Sequence, residues 1–324
     1  MQIKIDIISG FLGAGKTTLI KKLLSESLSG QKTVLIENEF GEIGIDGGIL
    51  KQSGVQIREI NSGCICCTLV GDFDSALKDV IHQYQPERIL IEPSGVGKLS
   101  DVIKACAKIA LKEDVEINLC FTVADATKYR MYSRNFGEFY INQIKNANTV
   151  ILSRTQKLDA EKLAAVVKEI HQHNANAAII TTPWEELTGD RILAAAKAAP
   201  LLSRTDLFED DHEPCHELEL NHDCRQDHHH HSAEEAFEAW SVQTPKVFDR
   251  NEIEELLGQL PQYGTVLRAK GIVPLSDASW LQFDYVPEEI SSREIAPDFT
   301  GRLCVIGNNL DKAGLSDLFE VYQN

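Results

Sequence analysis

The sequence lacks any long hydrophobic run and any surplus of positive charge. No stretch reaches the roughly eighteen apolar residues that a membrane-spanning helix needs. The N-terminus shows neither the basic segment nor the small-residue cleavage site of a secretory signal. The net charge is -17 and no basic patch offsets it, so a nucleic-acid backbone would be repelled. We therefore expect a cytoplasmic protein with no membrane and no nucleic-acid partner.

Cysteine is not abundant enough for a protein held together by disulfides. Eight cysteines in 324 residues do not make the dense pattern of small secreted domains. In a reducing compartment, clustered thiols instead indicate metal or redox chemistry. An apolar fraction of 43% and a charged fraction of 25% are typical of soluble globular proteins. The length suits two domains, and no internal repeat is visible.

Short apolar runs alternate with longer amphipathic segments over residues 3–202. The runs rich in β-branched residues predict strands at 3–9, 33–37, 88–92, 117–125, 148–153 and 177–182. The amphipathic segments predict helices at 16–27, 72–84, 99–112 and 160–173. This alternation predicts an α/β fold in which a doubly wound, mostly parallel sheet carries helices on both faces.

A change of composition divides the chain. Residues 206–235 are acidic, rich in histidine and poor in large apolar side chains, which predicts a linker. Residues 1–205 precede it as one domain, and residues 236–324 follow as a second, smaller α/β domain. In the second domain we expect four strands, a helix near 251–259 and a last helix at 311–321.

A glycine-rich loop, "GFLGAGKTT", follows the first predicted strand and matches the phosphate-binding pattern G-x-x-x-x-G-K-[ST]. Its glycines let the backbone approach phosphates, while amide groups and the next helix N-terminus point at negative charge. Lys16 should reach the β- and γ-phosphates, and the Thr17 hydroxyl should coordinate Mg²⁺. A chance match is disfavoured, because a strand precedes the loop and a helix follows it. The phosphate-binding residues are predicted to be Gly10, Gly13, Ala14, Gly15, Lys16, Thr17 and Thr18.

The second element of a phosphate site should be an acid at the end of another buried strand, and "RILIEPSG" supplies Glu92. Glu92 could bind the water shell of Mg²⁺ or orient the attacking water, with Gly95 leaving room at the γ-phosphate. The alternative is an ordinary surface charge. We predict that Glu92 acts with Lys16 in catalysis and with Thr17 in holding Mg²⁺.

An acidic segment, "IENEFGEIGID", follows the second predicted strand. Its acids Glu37, Glu39 and Glu42 should lie near the γ-phosphate side of a doubly wound sheet. There they could complete a metal shell or couple it to the nucleotide, although an acidic loop is often merely solvated. We include Glu39 among the candidate catalytic residues.

Three thiols are crowded into "GCICC": Cys64, Cys66 and Cys67. One face of a strand cannot hold all three, so the segment must turn if they are to converge, and Gly63 permits a turn. Converged, they supply three sulfur ligands and leave a fourth tetrahedral position open. Thiolates favour Zn²⁺, Co²⁺ or Cu⁺ over Mg²⁺ or Ca²⁺. Redox chemistry is the alternative, and burial as inert thiols is what we expect of Cys106, Cys120 and Cys304.

These motifs together resemble the CobW-like P-loop GTPases, relatives of the nickel and cobalt chaperones that serve urease and hydrogenase. The resemblance covers nearly the whole chain and rests on "GFLGAGKTT", "ENEFGE", "GCICC", "IEPSG", "VLRAKGIV" and "VIGNNLD". It implies a P-loop NTPase domain at 1–205, a CobW C-terminal domain at 236–324 and metal bound at the C-x-C-C cysteines. It also implies that GTP binding or hydrolysis drives metal delivery to a client, and that Glu37 and Glu42 take part in metal binding or nucleotide sensing.

One departure from the family pattern leaves the base open. Members usually carry N-K-x-D after the strand predicted here at 148–153, because the aspartate accepts both edge N–H groups of guanine. This chain has S-R-T-Q at 153–156. Arg154 can replace the lysine that packs over the base, whereas Gln156 offers one donor and one acceptor, which suits adenine better. We expect base contacts from Ser153, Arg154 and Gln156, with GTP ahead of ATP because of the resemblance.

The linker concentrates potential metal ligands. Seven of the ten histidines lie in it, and Cys215 and Cys224 lie among them. Such a tract can collect Zn²⁺, Co²⁺ or Ni²⁺ weakly and feed the cysteine cluster, the alternative being a solvated tether. The weak site is predicted at His228, His229, His230 and His231.

The combined expectation is a nucleoside triphosphatase that uses Mg²⁺, binds Zn²⁺ or Co²⁺, and couples nucleotide state to metal delivery into a client protein. One alternative is a metal buffer whose phosphate loop is vestigial. Another is an activator of a cofactor-dependent enzyme, for instance a corrinoid one. The sequence does not name the client or the physiological metal, and it leaves the oligomeric state open, with a homodimer as one candidate.

Overall fold

The computed structural model describes residues 2–38, 56–60, 70–199 and 236–321. Within these ranges the first domain is built on a seven-stranded sheet whose paired strands all run parallel. The strand order is β3-β2-β4-β1-β5-β6-β7. The strands are β1 (Ile3–Gly10), β2 (Thr33–Asn38), β3 (Gln56–Ile60), β4 (Arg88–Glu92), β5 (Val115–Asp125), β6 (Thr149–Ser153) and β7 (Ala178–Ile180).

Helices cover both faces of this sheet, because successive side chains of a strand point to opposite sides and both sides are apolar. On β4, for example, Leu90 joins one buried cluster while Ile89 and Ile91 join the other. The helices are α1 (Lys16–Glu26), α2 (Val70–Tyr84), α3 (Leu99–Ala110), α4 (Tyr129–Asn135), α5 (Gly137–Lys145), α6 (Ala160–His173) and α7 (Gly189–Ala198). The cluster with Leu90 lies under α1 and α7, and the other lies under α2, α3, α5 and α6. The predicted doubly wound fold is confirmed, including the six predicted strands; β3 was not predicted.

The second domain is a five-stranded antiparallel sheet in the order β11-β10-β9-β12-β8. Its strands are β8 (Glu238–Thr244), β9 (Thr265–Pro274), β10 (Trp280–Val286), β11 (Glu289–Ile295) and β12 (Gly301–Asn308). Two helices pack on one face, α8 (Arg250–Gln259) and α9 (Lys312–Leu318). Asp249 and Glu252 form a reciprocal cap that fixes the start of α8. The predicted strands and helices are present, and β11 is the strand that the sequence did not predict.

The two domains share one buried core. The other face of the second sheet contributes Leu267, Ile272 and Ile306 to the cluster that contains Ile5 and Ile91 of the first domain. Where the domains meet, the ring of Phe11 lies 4.7 Å from that of Tyr132, 5.4 Å from that of Phe136 and 6.1 Å from that of Phe237. Phe11 belongs to the phosphate loop, so the loop is packed directly into the domain interface.

Several predictions fall on residues that the structure does not describe. The acidic histidine-rich linker at 206–235 lies outside the described residues, so the domain boundaries at 205 and 236 stay predictions. No helix in the described part of the chain is long and apolar enough to cross a membrane.

Candidate nucleotide site

The loop after β1 has the backbone that a phosphate-binding loop requires. Gly10, Gly13 and Gly15 all have positive φ. A Cβ added to Gly10 would lie 2.4 Å from the carbonyl oxygen of Val123, so only glycine fits beside β5. Helix α1 begins directly after Gly15 and has no acidic residue in its first turn. The N–H groups of its first turn and the positive end of its dipole are therefore suited to an anion.

Three predicted residues meet at the start of α1. Lys16 is 5% exposed, and its Nζ lies 3.8 Å from Oε1 of Glu92. The Thr17 hydroxyl donates to Oε1 and Oε2 of Glu92 at 3.3 and 3.5 Å. Hydroxyl and carboxylate oxygens are hard donors of the kind that Mg²⁺ prefers, and here they lie close together. The residues present therefore fit that ion. The structure thus brings together Lys16, Thr17 and Glu92, which the sequence had placed in one site.

The segment after β4 is fastened against the phosphate loop. A Cβ on Gly95 would lie 3.0 Å from the backbone nitrogen of Leu12, so this glycine permits the close approach. The fully buried Gln143 donates from Nε2 to the carbonyl oxygens of Gly95 and Gly97 at 3.1 and 2.8 Å. The sequence did not predict this role of Gln143, because a glutamine within a helix carries no local signal of a distant loop.

Arg154 lies beside the phosphate loop with a left-handed backbone, φ 57°. Its Nη1 donates to the carbonyl oxygen of Gly13 at 3.1 Å and to Oδ2 of Asp125 at 3.0 Å. Its Nε donates to Oε2 of Glu289 in the second domain at 3.1 Å. Asp125, which ends β5, is 2% exposed and was not predicted, although an acid ending a buried strand is the signal that identified Glu92.

The other predicted base contacts lie elsewhere. Ser153 is buried, with its hydroxyl 3.5 Å from the Ala124 carbonyl oxygen, and Gln156 is exposed in a short 3₁₀ turn. Asp159, three residues beyond Gln156, accepts from the Lys162 amide at 2.8 Å and caps α6. Of this group the structure brings only Arg154 to the phosphate loop, and base contacts from Ser153 and Gln156 stay predictions.

The phosphate loop opens into a cavity of about 370 Å³ that both domains line. The size falls in the range of small-ligand sites, roughly 300–1,000 Å³. The first domain contributes Gly13, Gly15, Lys16, Thr17, Thr18, Lys21, Glu92 and Arg154. The second domain contributes Arg268, Gln282, Phe283, Asp284, Val286, Glu289, Ser291, Ser292 and Arg293. The participation of the second domain was not predicted.

A second contact between the domains lies next to Arg154. The Lys128 amine donates to the carbonyl oxygen of Pro287 at 2.5 Å. Burial lowers the pKa of Lys128 below its usual value, an effect that the nearby Asp125 carboxylate opposes. Lys128 therefore attaches the turn between β10 and β11 to the segment after β5, and Arg154 attaches the start of β11 to the phosphate loop.

The predicted transition-metal site can be located only in part. Glu37 is 4% exposed, one residue before the end of β2, and the sheet register places it directly beside Glu92. Cys64, Cys66, Cys67, Glu39 and Glu42 lie outside the described residues, as do His228, His229, His230 and His231. Within the described ranges, no group of three histidine, cysteine or acidic side chains could hold a metal ion. Cys106, Cys120 and Cys304 are buried, as expected.

The first domain combines a parallel sheet, a glycine-rich loop after its central strand β1 and a Lys-Thr pair that faces a strand-terminal acid. Together these features define a P-loop nucleotide-binding protein. Residues 4–181 match the family model described as "CobW/HypB/UreG, nucleotide-binding domain". Residues 237–322 match the "Cobalamin synthesis protein cobW C-terminal domain". The chain belongs to the CobW/HypB/UreG family, which confirms the resemblance seen in its motifs.

Named relatives are moderately similar to this chain. A zinc chaperone CobW from Sinorhizobium sp is 29% identical over 83% of this chain and 81% of the relative. A zinc chaperone CobW from Pseudomonas aeruginosa is 28% identical over 98% of this chain and 90% of the relative. A zinc-regulated GTPase metalloprotein activator 1 from Schizosaccharomyces pombe is 28% identical over 57% of this chain and 47% of the relative.

Proposed function

We propose that this protein is a nucleoside triphosphatase, acting on GTP in preference to ATP, that couples its nucleotide state to the delivery of Zn²⁺ or Co²⁺ into a client protein. The transition metal is cargo and binds at Cys64, Cys66 and Cys67, with Glu37 and Glu42 completing or sensing the site. The names of the relatives, zinc chaperone and zinc-regulated GTPase activator, support zinc as cargo and GTP as nucleotide.

The observation that carries the proposal is the register of three neighbouring strands. Glu59 of β3 pairs with Glu37 of β2, and Glu37 pairs with Glu92 of β4. Strand β3 ends at Ile60, and Cys64 follows four residues later, a span of at most about 14 Å. The cysteines therefore follow, in sequence, a strand that lies two places from the strand of Glu92 in the sheet. We infer that a shift of Glu92 on nucleotide binding is transmitted through the neighbouring Glu37 to the end of β3, the strand that the cysteines follow in sequence.

In the nucleotide site, Lys16 binds the phosphates from the start of α1, and Thr17 and Glu92 provide the oxygen ligands for Mg²⁺. Bound Mg²⁺ supplies positive charge that stabilises the charge developing on the phosphate oxygens. The Glu92 carboxylate also accepts a hydrogen bond from Thr17, which fixes the direction of both side chains. Glu39 is the second candidate for orienting the attacking water.

Calorimetric titration of Zn²⁺, with and without a non-hydrolysable GTP analogue and Mg²⁺, tests the coupling. We expect the analogue to change Zn²⁺ affinity and, by reciprocity, Zn²⁺ to change analogue affinity by the same factor. Identical Zn²⁺ titration curves with and without the analogue would show that nucleotide and metal binding are not coupled. A parallel series with the ATP analogue tests the base preference.

Two variants separate this function from a metal buffer with a vestigial phosphate loop. Lys16→Ala should abolish hydrolysis and coupling while Zn²⁺ still binds, because Lys16 lies at the phosphate loop. Replacing Cys64, Cys66 and Cys67 together with serine should abolish tight Zn²⁺ binding and leave nucleotide binding intact. If the parent chain neither binds nor hydrolyses GTP or ATP, the buffer is the better description. If the triple serine variant still activates a client, metal delivery is excluded.

A further inference from the structure

One face of the second domain's sheet lies toward the phosphate loop. Part of this face is polar and charged, whereas a face that only packed against the first domain would be apolar. The cross-strand register puts Gln282 and Asp284 of β10 opposite Arg293 and Ser291 of β11, so the four occupy one face. On the same face, Ile272 of β9 pairs with Gln282 and packs into the shared core. The polar half therefore lies over the cavity, and the apolar half makes the domain contact.

The cavity is basic in an acidic protein. Among the described residues, five basic ones line the cavity against three acidic ones, whereas the whole chain carries a charge of -17. Two of the five come from the second domain, Arg268 and Arg293. Since like charges brought together cost energy, a cluster of basic groups around one cavity favours an anionic occupant.

Arg293 is the better placed of the two to bind a ligand. It is exposed, and it donates from Nε and Nη2 to the amide oxygen of Gln282 at 3.2 and 2.7 Å. That acceptor is neutral, so the contact orients the guanidinium without neutralising its charge. Arg268 is paired instead with the Asp284 carboxylate, its Nη2 2.6 Å from Oδ2.

We propose that the second domain forms one half of the nucleotide site and that Arg293 of β11 binds the nucleotide's phosphates from the side opposite Lys16. Arg268 and Asp284 support the same wall. Two contacts fix the distance between the two domains at this site. Lys128 binds the carbonyl oxygen of Pro287, and Arg154 binds Glu289. The inference rests on the proposed function, because it requires a nucleotide at the phosphate loop.

The test uses the full-length chain and calorimetric titration with a non-hydrolysable GTP analogue in the presence of Mg²⁺. Arg293→Gln should weaken binding about tenfold, the loss expected for one charge-assisted hydrogen bond. Arg293→Lys should recover most of the affinity. The difference between parent and Arg293→Gln should shrink as KCl is raised, because salt screens a partly exposed charge.

Lys312→Gln is the matched control. It removes one positive charge from the same domain, but Lys312 pairs with Glu238 of β8, at the edge of the sheet opposite β11. Its affinity for the analogue should equal that of the parent. Melting temperatures of all variants should agree, since Arg293 and Lys312 are both largely exposed.

Lys16→Ala separates failure of this inference from failure of the proposed function. If Lys16→Ala loses binding while Arg293→Gln and the parent agree within about twofold, the second domain is only a wall and the inference is overturned. If Lys16→Ala binds as tightly as the parent, the phosphate loop is not the binding site, and the proposed function fails first. An equal loss in Arg293→Gln and Lys312→Gln would also overturn the inference, because it would show a general charge effect.

Discussion

The guanidinium of Arg154 joins the phosphate loop to the second domain through Glu289. Its Nη1 donates to the Gly13 carbonyl oxygen at 3.1 Å, and its Nε donates to Oε2 of Glu289 at 3.1 Å. The side chain is 21% exposed and is also paired with the buried Asp125. Movement at the start of β11 therefore reaches the backbone of the phosphate loop through the side chains of Glu289 and Arg154.

Glu289→Gln should loosen this connection with little loss of stability. The Glu289 side chain is 40% exposed, so its ion pair contributes no more than about 1 kcal/mol. We expect an almost unchanged melting temperature and faster amide hydrogen exchange in the phosphate loop and in the turn at Pro287. Glu294→Gln, which removes the partner of Arg250 outside the cavity, is the control and should leave exchange in both segments unchanged. Equal exchange in all three proteins would refute the role of Glu289.

Gly13→Ala should disturb the domain interface more than the phosphate loop alone. A Cβ at Gly13 would lie 2.3 Å from Cγ1 of Val286, and the φ of +68° is itself unfavourable for alanine. We expect a cost of roughly 2–4 kcal/mol in the free energy of unfolding, measured by urea denaturation. Val286→Ala in the same chain should recover the part that comes from the clash.

Gly258→Ala is the matched control for that substitution. Gly258 lies inside α8, and nothing approaches its added Cβ within 4 Å. Alanine there should raise the free energy of unfolding by about 0.5–1 kcal/mol, because it restricts the unfolded chain and favours the helix. A destabilised Gly258→Ala would show that glycine replacement in itself, rather than Val286, explains the effect at Gly13.

Asp6→Ala should be among the most damaging single changes in the first domain. Asp6 and Arg88 form an ion pair across β1 and β4, with exposures of 1% and 6%, and Asn118 donates to Asp6 at 2.6 Å. Removing the carboxylate leaves a buried guanidinium without its counter-charge, at a cost of about 3–5 kcal/mol. Urea denaturation measures it. The double variant Asp6→Leu with Arg88→Met should lie close to the parent, and an equally destabilised double variant would contradict the ion-pair explanation.

Alkylation of the native protein should report on the cysteines of the metal site, because the buried cysteines should not react. Burial raises the pKa of the Cys120 thiol to about 12. At pH 8 only about one Cys120 in ten thousand is then the reactive thiolate. Burial raises the pKa of Cys106 as well, and Cys304 is buried. We expect iodoacetamide to modify the other five cysteines, which belong to the predicted metal site and linker: Cys64, Cys66, Cys67, Cys215 and Cys224.

Saturation with Zn²⁺ should protect three of those five, counted by intact mass. Guanidinium and a chelator should make all eight reactive, which controls for reagent access. The same number of modifications with and without Zn²⁺ would exclude the thiolate site. Modification of Cys106 or Cys120 in the native protein would contradict their burial.

The strands that could be predicted are those with a strong apolar pattern, and the two that were missed lack it. Strand β11 is exposed at five consecutive positions, and its sequence, EISSREI, offers no hydrophobic alternation. Strand β3, QIREI, is five residues long at the edge of its sheet. Both lie at a sheet edge and pair with one neighbouring strand, and backbone pairing leaves little trace in side-chain type.

The phosphate-binding half of the site could be predicted because its residues are close in sequence and their types are dictated by chemistry. Glu92 could be added because a strand-terminal acid is a local signal. Arg293 and Glu289 could not, because their relation to Lys16 and Arg154 depends on how two separate domains dock across more than a hundred residues of chain. Gln143 is a similar case, since only the folded structure shows which loop its amide reaches.

The position of Phe11 also bears on how the protein can be dissected. Its ring is fully buried within a cluster to which Phe237 of the second domain contributes. A fragment that ends before Phe237 would present the rings of Phe11, Phe136 and Phe139 to solvent, next to the phosphate loop. Such an aromatic patch is prone to self-association. Low solubility or loss of nucleotide binding in the isolated first domain would then reflect a missing partner surface rather than a defective loop.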